Sequence, residues 1–523
     1  MAERADIDVA AIAGTGVLVA GAGTAGRSAA HHLIAMGAEV TVVDARFADQ
    51  IDDELTAAGV NQIAIDALAD ADGGLDAFEL VIVSPGFAPT HPLIARLHGS
   101  GLPVWGEVEL AWRIDRAGLL GPPRTWLVVT GTNGKTTTTS MLADIVTGAG
   151  RAAAACGNIG LPVLDAMNRR PRVDILCVEL SSFQLHWAPS VAPEAGVVLN
   201  VAEDHLDWHG SFDAYAHAKA NALHGAVGVV GLDDPIASGL PVVGRRVGFT
   251  LGPPGRHGEL GVRDGILVDR AFGPDDSSRD LIEASAIHPP GPSGVADALA
   301  AASLALAAGL TPDQVASGLR QFRPAAHRGE IVATAAGLDY VDDSKATNPH
   351  AAHAAILGHR RVVLVAGGLL KGAAVDDMIR DTRDRLAGVV AIGRDRDLIV
   401  EAIARHAPEV PAVTVFTGDD GRVTVQHASA TPVSDRTADF PAIITADSRP
   451  FGGSVEPAGA VMTRAVEVAT HLATRAVDRP DAVLLAPAAA SLDMFAGYGA
   501  RGDAFADAAR ALPDARRAGG SSQ

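Results

Sequence analysis

Trp126-Leu127-Val128-Val129-Thr130-Gly131-Thr132-Asn133-Gly134-Lys135-Thr136-Thr137 is the stretch that decides how this chain folds. An apolar run of strand length enters a loop bracketed by two glycines, and a lysine and two threonines follow. Strand, glycine loop and helix in that order let backbone N–H groups wrap a phosphate, with the lysine ammonium on the β- and γ-phosphates and the first threonine hydroxyl on Mg²⁺. The loop is shorter than the full G-x-x-x-x-G-K-[ST] pattern, whose first glycine would fall at Val129. The chemistry survives that departure, and a purely structural turn explains the sequence poorly. Gly131, Thr132, Asn133, Gly134, Lys135, Thr136 and Thr137 are therefore expected to hold nucleotide phosphates.

Outward from this loop, apolar runs alternate with helix-like stretches, the βαβ pattern of parallel sheets. Residues 17–20, 40–44 and 80–84 read as strands before it; Ile175–Glu179 and 196–200 read as companions of 126–130. Residues 340–342, 362–366, 389–393 and 482–486 read as strands of a third unit. Gly121-Pro122-Pro123 and Phe322-Arg323-Pro324 punctuate the chain. The expectation is an α/β protein of three domains. Residues 1–123 form an N-terminal Rossmann-like unit, 124–324 a central P-loop ATPase-like parallel sheet, and 325–523 a C-terminal Rossmann-like unit. A helix is expected over 295–310, short strands and loops over 252–280, an insertion over 417–459 and a disordered tail over 516–523.

Composition narrows the function. A net charge of −20 repels nucleic acid and anionic membranes, so an anionic substrate must be held by local cations. Cys156 and Cys177 lack CxxC spacing and suit two reduced, buried thiols better than a disulfide or a zinc site. Residues 1–13 lack the basic and apolar regions of a signal peptide, and the apolar stretch 298–310 is too short to span a bilayer. The expectations are a cytoplasmic protein, no membrane insertion and no nucleic-acid partner. Of 42 basic residues only four are lysines: Lys135, Lys219, Lys345 and Lys371. A chain that otherwise uses arginine keeps lysine where a compact ammonium or a neutral amine is required.

The remaining motifs lie at strand ends. Gly21-Ala22-Gly23-Thr24-Ala25-Gly26, with Asp44 closing the next strand, reads as a nucleotide site; alone it would suit NAD, yet no hydride-transfer site follows. Glu179 ends an apolar strand where a second Mg²⁺ contact belongs, although an ordinary strand-end acid fits equally well. Acids and imidazoles crowd 203–209, and His205 is the favoured functional member. Lys219 sits on a helix, where a solvated charge is the usual role. Asp342-Asp343-Ser344-Lys345-Ala346-Thr347-Asn348, Gly367-Gly368-Leu369-Leu370-Lys371 and Ala486-Pro487-Ala488-Ala489-Ala490-Ser491-Leu492-Asp493 each follow a strand. Two ammonium groups, hydroxyls and loop N–H groups there suit a small dicarboxylate.

Taken in order, GTNGKTT, the GNIG segment 157–160, ELSSFQL, DSKATN, GGLLK and PAAASLD resemble the Mur ligase family over almost the whole chain, and among its branches the one that adds D-glutamate. The resemblance implies an ATP-dependent ligase that joins D-glutamate to UDP-N-acetylmuramoyl-L-alanine through an acyl phosphate, as a cytoplasmic monomer. It implies that Thr24, Asp44, Arg46 and Ser84 hold the uridine end, and that Asn158, Ser181 and His205 face the muramoyl-alanine. ATP falls to the 131–137 loop with Arg328 and Asp343. Two Mg²⁺ ions are implied, one on Thr136 and Glu179, the other on His205 and Lys219, the lysine being carbamylated by CO₂. Thr347, Lys371, Ser491 and the backbone at Tyr498 would bind D-glutamate, with Lys345 close by; Lys135, His205, Lys219 and Lys345 are the implied catalytic set. The chain departs from the family at Gly294 and Asp297, where an asparagine pair that reads adenine is common, and at Tyr498, where phenylalanine is common.

Three other readings compete. A folylpolyglutamate synthetase shares the architecture, but the N-terminal glycine loop and DSKATN argue against it. An NAD-dependent oxidoreductase fused to a P-loop regulator would have to bind nicotinamide. A non-catalytic nucleotide sensor would not need four lysines placed at three loops and a helix.

Overall fold

The strand that feeds the glycine loop, Thr125–Thr130, lies inside a sheet, and residues 126–130 are buried, as a continuous apolar run requires. A computed structural model describes residues 7–69, 74–274, 277–418, 422–427 and 457–516. Among these, the sheet has nine strands in the order Arg279–Glu283, Ile266–Asp269, Glu259–Arg263, Arg245–Phe249, Val227–Gly231, Ala195–Val198, Thr125–Thr130, Ile175–Glu179 and Ala153–Gly157. Pairing is parallel except at the first three strands, which run antiparallel and occupy the stretch expected to hold short strands. Helix Lys135–Gly148 buries Met141, Leu142, Ile145 and Val146 in one core with Leu299, Ala302 and Val315. It meets helix Pro312–Gln321 closely at Gly318, where a Cβ would lie 2.5 Å from the Ile145 Cα. The helix expected over 295–310 forms as Pro292–Ala307.

The first sheet is wholly parallel, in the order Asn61–Ile63, Glu39–Val43, Gly16–Ala20, Leu80–Val83 and Val104–Gly106. Strand order reverses at Gly16–Ala20, so the crevice that a doubly wound sheet offers a ligand opens where the Gly21 loop begins. A Cβ on Gly26 would stand 1.9 Å from the Gly21 carbonyl oxygen, which explains glycine at that position. The third sheet has seven described strands, Glu330–Ala335, Leu338–Asp342, Ala482–Leu485, Val362–Gly367, Leu386–Ile392, Ala412–Thr417 and Val423–His427, parallel in the middle and antiparallel at both edges.

The chain forms two compact units, residues 1–287 with 295–322, and residues 288–294 with 323–523. The first two sheets share a unit because helix Glu107–Arg116 inserts acids into the neighbouring layer. Asp115 accepts from the Arg124 N–H at 2.9 Å, Arg124 Nη1 at 2.8 Å and Trp126 Nε1 at 3.1 Å. Glu109 accepts from the Ser190 N–H at 3.1 Å and Glu107 from the Leu164 N–H at 2.8 Å. Burial pushes the Glu107 carboxyl up to about 7.

Most of 417–459 lies outside the described residues; within it, Val423–His427 pairs with Ala412–Thr417. The tail was expected to begin at Arg516, but that residue exchanges backbone hydrogen bonds with Thr334 at 2.8 and 2.9 Å, and 517–523 lie outside the described residues.

Candidate functional site

The glycine loop is held from two sides. The Thr132 N–H donates to the Asn200 carbonyl at 3.0 Å and the Asn133 N–H to Asn200 Oδ1 at 2.9 Å. Gly134 turns with φ 84°, and a Cβ there would sit 2.3 Å from Asp297 Oδ1. Asp297 also accepts from Thr138 Oγ1 at 3.0 Å, so this departure from the family pattern is built in beneath the loop. Lys135 opens the helix and turns back: its Nζ donates to Gly131 O at 2.9 Å and Thr132 O at 2.8 Å. Lys219, from helix Phe212–Ala220, donates to the same Gly131 oxygen at 2.8 Å and stands 4.5 Å over the Tyr215 ring. It is only 2% exposed, which overturns the solvated-charge reading. Burial first, and then the Lys135 charge, hold its ammonium well below the ordinary lysine range.

Glu179 lies in register with Val129 on the neighbouring strand, as expected of a strand-end acid facing the loop. One carboxylate oxygen accepts from Asn158 Nδ2 at 2.9 Å; the other is buried without a donor. A buried carboxylate oxygen left unpaired is costly, and it fits a divalent cation whose other ligand would be a hydroxyl such as that of Thr136. His205 is less committed. It sits at φ 53° with its ring about half exposed (49%), 4.7 Å from Phe183 and 3.5 Å from Asp204, and it makes no hydrogen bond to Lys219 among the described residues. Its neighbour His209 is the half-buried one: it pairs with Ser182 Oγ at 2.9 Å, and desolvation followed by the His186 charge holds it down to about 4. The Ser181 hydroxyl caps helix Ser182–His186 in a reciprocal pair with Gln184.

At the first sheet, Asp44 is not the last strand residue but the cap of the turn Ala45–Ala48. It accepts from the Ala22 N–H at 2.8 Å and from the Arg46 N–H and Nε at 3.0 and 3.1 Å. Burial opposes its ionisation, but these hydrogen bonds outweigh it and hold the carboxyl at about 2. Ser84 Oγ donates to Gly21 O at 3.2 Å, and Thr24 starts the following helix, exposed. Thr24, Asp44, Arg46 and Ser84 thus gather around one loop.

In the second unit the three strand-end loops meet. Gly367 N–H donates to Pro487 O at 2.8 Å, Ala488 N–H to Ala346 O at 2.9 Å, and Leu369 and Ala490 exchange bonds at 2.8 and 2.9 Å. Lys345 Nζ donates to Tyr498 OH at 3.2 Å, and Ser344 Oγ to Tyr498 O at 2.8 Å. Ser491 is buried, whereas Thr347 and Lys371 are exposed, Lys371 at φ 53°. Asp343 keeps some surface exposure, yet desolvation of its carboxyl raises it to about 7 against the opposing Arg328 charge.

Two residues escaped the sequence reading. His327 Nδ1 pairs with Asp342 at 2.7 Å, and Gly502 leaves the room: a Cβ there would lie 2.1 Å from that nitrogen. Arg501 is 1% exposed and bonds to all three loops. Its signal was present: it precedes Phe505 by four residues and Ala508 by seven, on the apolar stripe of helix Tyr498–Arg510.

With this geometry in place, comparison with known proteins adds the following. Residues 129–242 match the Mur ligase middle domain, and residues 15–106 the Mur ligase MurD-like, N-terminal domain. The UDP-N-acetylmuramoylalanine--D-glutamate ligase of Rhodococcus jostii is 55% identical over 500 residues, 95% of each chain. The ligases of the same name from Mycolicibacterium smegmatis and Mycolicibacterium vanbaalenii are 51% and 53% identical, over 95% of this chain and 97% and 98% of theirs.

Proposed function

This chain belongs to the Mur ligase family, and we propose that it is the ATP-dependent ligase that joins D-glutamate to UDP-N-acetylmuramoyl-L-alanine in cytoplasmic peptidoglycan precursor synthesis. What carries this reading is the likeness over 95% of both chains. Among the described residues no helix is long and apolar enough to cross a membrane.

The domain scheme is 1–123 for the UDP-substrate, 124–324 for ATP and 325–523 for the amino acid, one sheet to each. Thr24, Asp44, Arg46 and Ser84 take the uridine end; Asn158, Ser181 and His205 take the muramoyl-alanine. Residues 131–137 hold the ATP phosphates, with Arg328 and Asp343 contributing from the third domain. The γ-phosphoryl passes to the L-alanine carboxylate, which is otherwise a poor acylating agent. The D-glutamate amine then attacks the carbonyl carbon, and the tetrahedral intermediate releases phosphate as the amide forms. Lys135 offsets charge on the phosphoryl oxygens. Thr136 and Glu179 would hold one Mg²⁺, His205 and Lys219 a second, and the metal supplies further neutralisation of phosphoryl charge. Thr347, Lys371, Ser491 and the Tyr498 backbone hold D-glutamate, with Lys345 alongside.

Lys219 acts as a carbamate in this scheme. Its neutral amine forms an N–C bond to CO₂ and loses a proton to solvent, so an uncharged buried amine becomes an anionic carbamate that would serve as a metal ligand. The burial of Lys219 and its crowding against Lys135 support this, since both disfavour the ammonium form. Incubation with ATP, UDP-N-acetylmuramoyl-L-alanine and D-glutamate should yield a UDP product heavier by one glutamyl residue on mass spectrometry. ATP hydrolysis without that product would reject the function.

A further inference from the structure

We propose that Arg501 is a positioning residue of the amino-acid site, lacing the three strand-end loops into one receptor. The inference rests on the reading that these loops take D-glutamate.

The geometry is specific. Arg501 Nε donates to Ser344 Oγ at 3.0 Å and Nη2 to Ser344 O at 2.8 Å, which fixes the 342–348 loop. Nη1 donates to Ala489 O at 3.0 Å, in the 486–493 loop, and lies 3.4 Å from Gly367 O, at the start of the 367–371 loop. Ser344 Oγ passes the linkage on to Tyr498 O at 2.8 Å, so the helix start that carries Arg501 is tied to the loops it holds. Gly368 gives the guanidinium space: a Cβ there would lie 3.3 Å from Nη1 and 2.2 Å from Ala490 O. A rigid planar fork spreads five donors over three nitrogens and so reaches separated backbones in a fixed geometry; a lysine ammonium has three donors on one atom.

Arg501 is 1% exposed and forms no ion pair within 4 Å among the described residues, yet its charge is balanced at longer range. Burial lowers it, the Asp493 and Asp342 charges oppose that, and at about 10 it remains a cation at neutral pH. Lys371 and Ser491 would touch D-glutamate; Arg501 acts through the loops.

Steady-state kinetics with each of the three substrates varied in turn tests this, on Arg501→Met, Arg501→Lys and Ser344→Ala, with Lys371→Ala as the control for the site itself. Losing several charge-assisted hydrogen bonds should raise the D-glutamate KM about tenfold in Arg501→Met, and keeping the charge without the fork about threefold in Arg501→Lys. Ser344→Ala should move the same constant by about threefold, while kcat at saturation and the KM values for ATP and the UDP-substrate stay within about twofold. Arg501→Lys and Ser344→Ala carry the test should the methionine variant not fold. A D-glutamate KM unchanged in those two, or all three KM values and kcat worsening together, overturns the positioning role. A flat response in Lys371→Ala would instead remove the D-glutamate reading on which it rests.

Discussion

The glycine loop and the three C-terminal loops, each proposed to hold an anion, deploy their cations in opposite ways. At the first, both lysines turn onto the loop's own backbone: Lys135 and Lys219 donate to the same Gly131 oxygen, and Glu179 keeps an unpaired carboxylate oxygen nearby in register. At the second, a buried arginine does the internal wiring, and Lys371 is left exposed. A site whose cations are already engaged must exchange those bonds for ligand bonds, so its lysines should govern whether chemistry occurs. A site wired from beneath is built before its ligand arrives, so its surface lysine should govern how tightly the ligand is held.

The largest effect should come from Lys135→Ala. Removing an electrostatic stabiliser of transferring phosphoryl costs about a hundred- to a thousandfold in kcat. Calorimetry should still show the UDP-substrate bound nearly as in the native protein, because the residues proposed for the uridine end lie on another sheet; loss of both would erase the division of labour. Lys219→Arg comes next. Arginine keeps a cation but forms no carbamate, so activity should fall about a hundredfold, as far as in Lys219→Ala. Acetate should partly restore the alanine variant, and ¹³C-labelled CO₂ should give a carbamate signal in the native protein alone. Near-native activity in Lys219→Arg would dispose of the carbamate. Lys371→Ala should act on binding: losing a charge-assisted contact raises the D-glutamate KM about tenfold, with kcat little changed. A fall in kcat at constant KM would reverse the contrast between the two regions.

The smallest effect concerns a buried charge outside both regions, and it asks whether strain is confined to them. Burial raises the Glu107 carboxyl from 4.5 to about 7. The folded state then binds more protons than the unfolded one, so this group's contribution is complete below about pH 4.5 and declines as pH climbs towards 7. Glu107→Gln keeps an acceptor for the Leu164 N–H and removes the decline. Its Tm advantage over the native protein should grow by about a few degrees between roughly pH 5 and 7 and then level off. A gap that stays constant with pH would show Glu107 to be ionised without penalty.

What the sequence revealed follows physical lines. Buried central strands such as Ile175–Glu179 announce themselves as uninterrupted apolar runs, and that strand was read with its true bounds. Asn61–Ile63 and Val104–Gly106 are three residues long and carry too little apolar pattern to see. Ala153–Gly157 is built of alanine, cysteine and glycine, which favour no strand by propensity. At the site, the scarcity of lysine marked out all four lysines, and the burial of Lys219 justifies that attention. Arg501 was hidden by the same logic, because in a chain rich in arginine one more attracts no notice. The sequence reading favoured His205 and passed over His209, whose desolvation depends on packing that the sequence does not display.

The central claim is that this protein makes an amide with one particular amino acid, and amino-acid-dependent phosphate release tests it most directly. With ATP and UDP-N-acetylmuramoyl-L-alanine held constant, D-glutamate should drive phosphate release, and L-glutamate, L-alanine and L-lysine should leave it at background. Equal turnover with L-lysine, or release that ignores the amino acid altogether, would contradict the account.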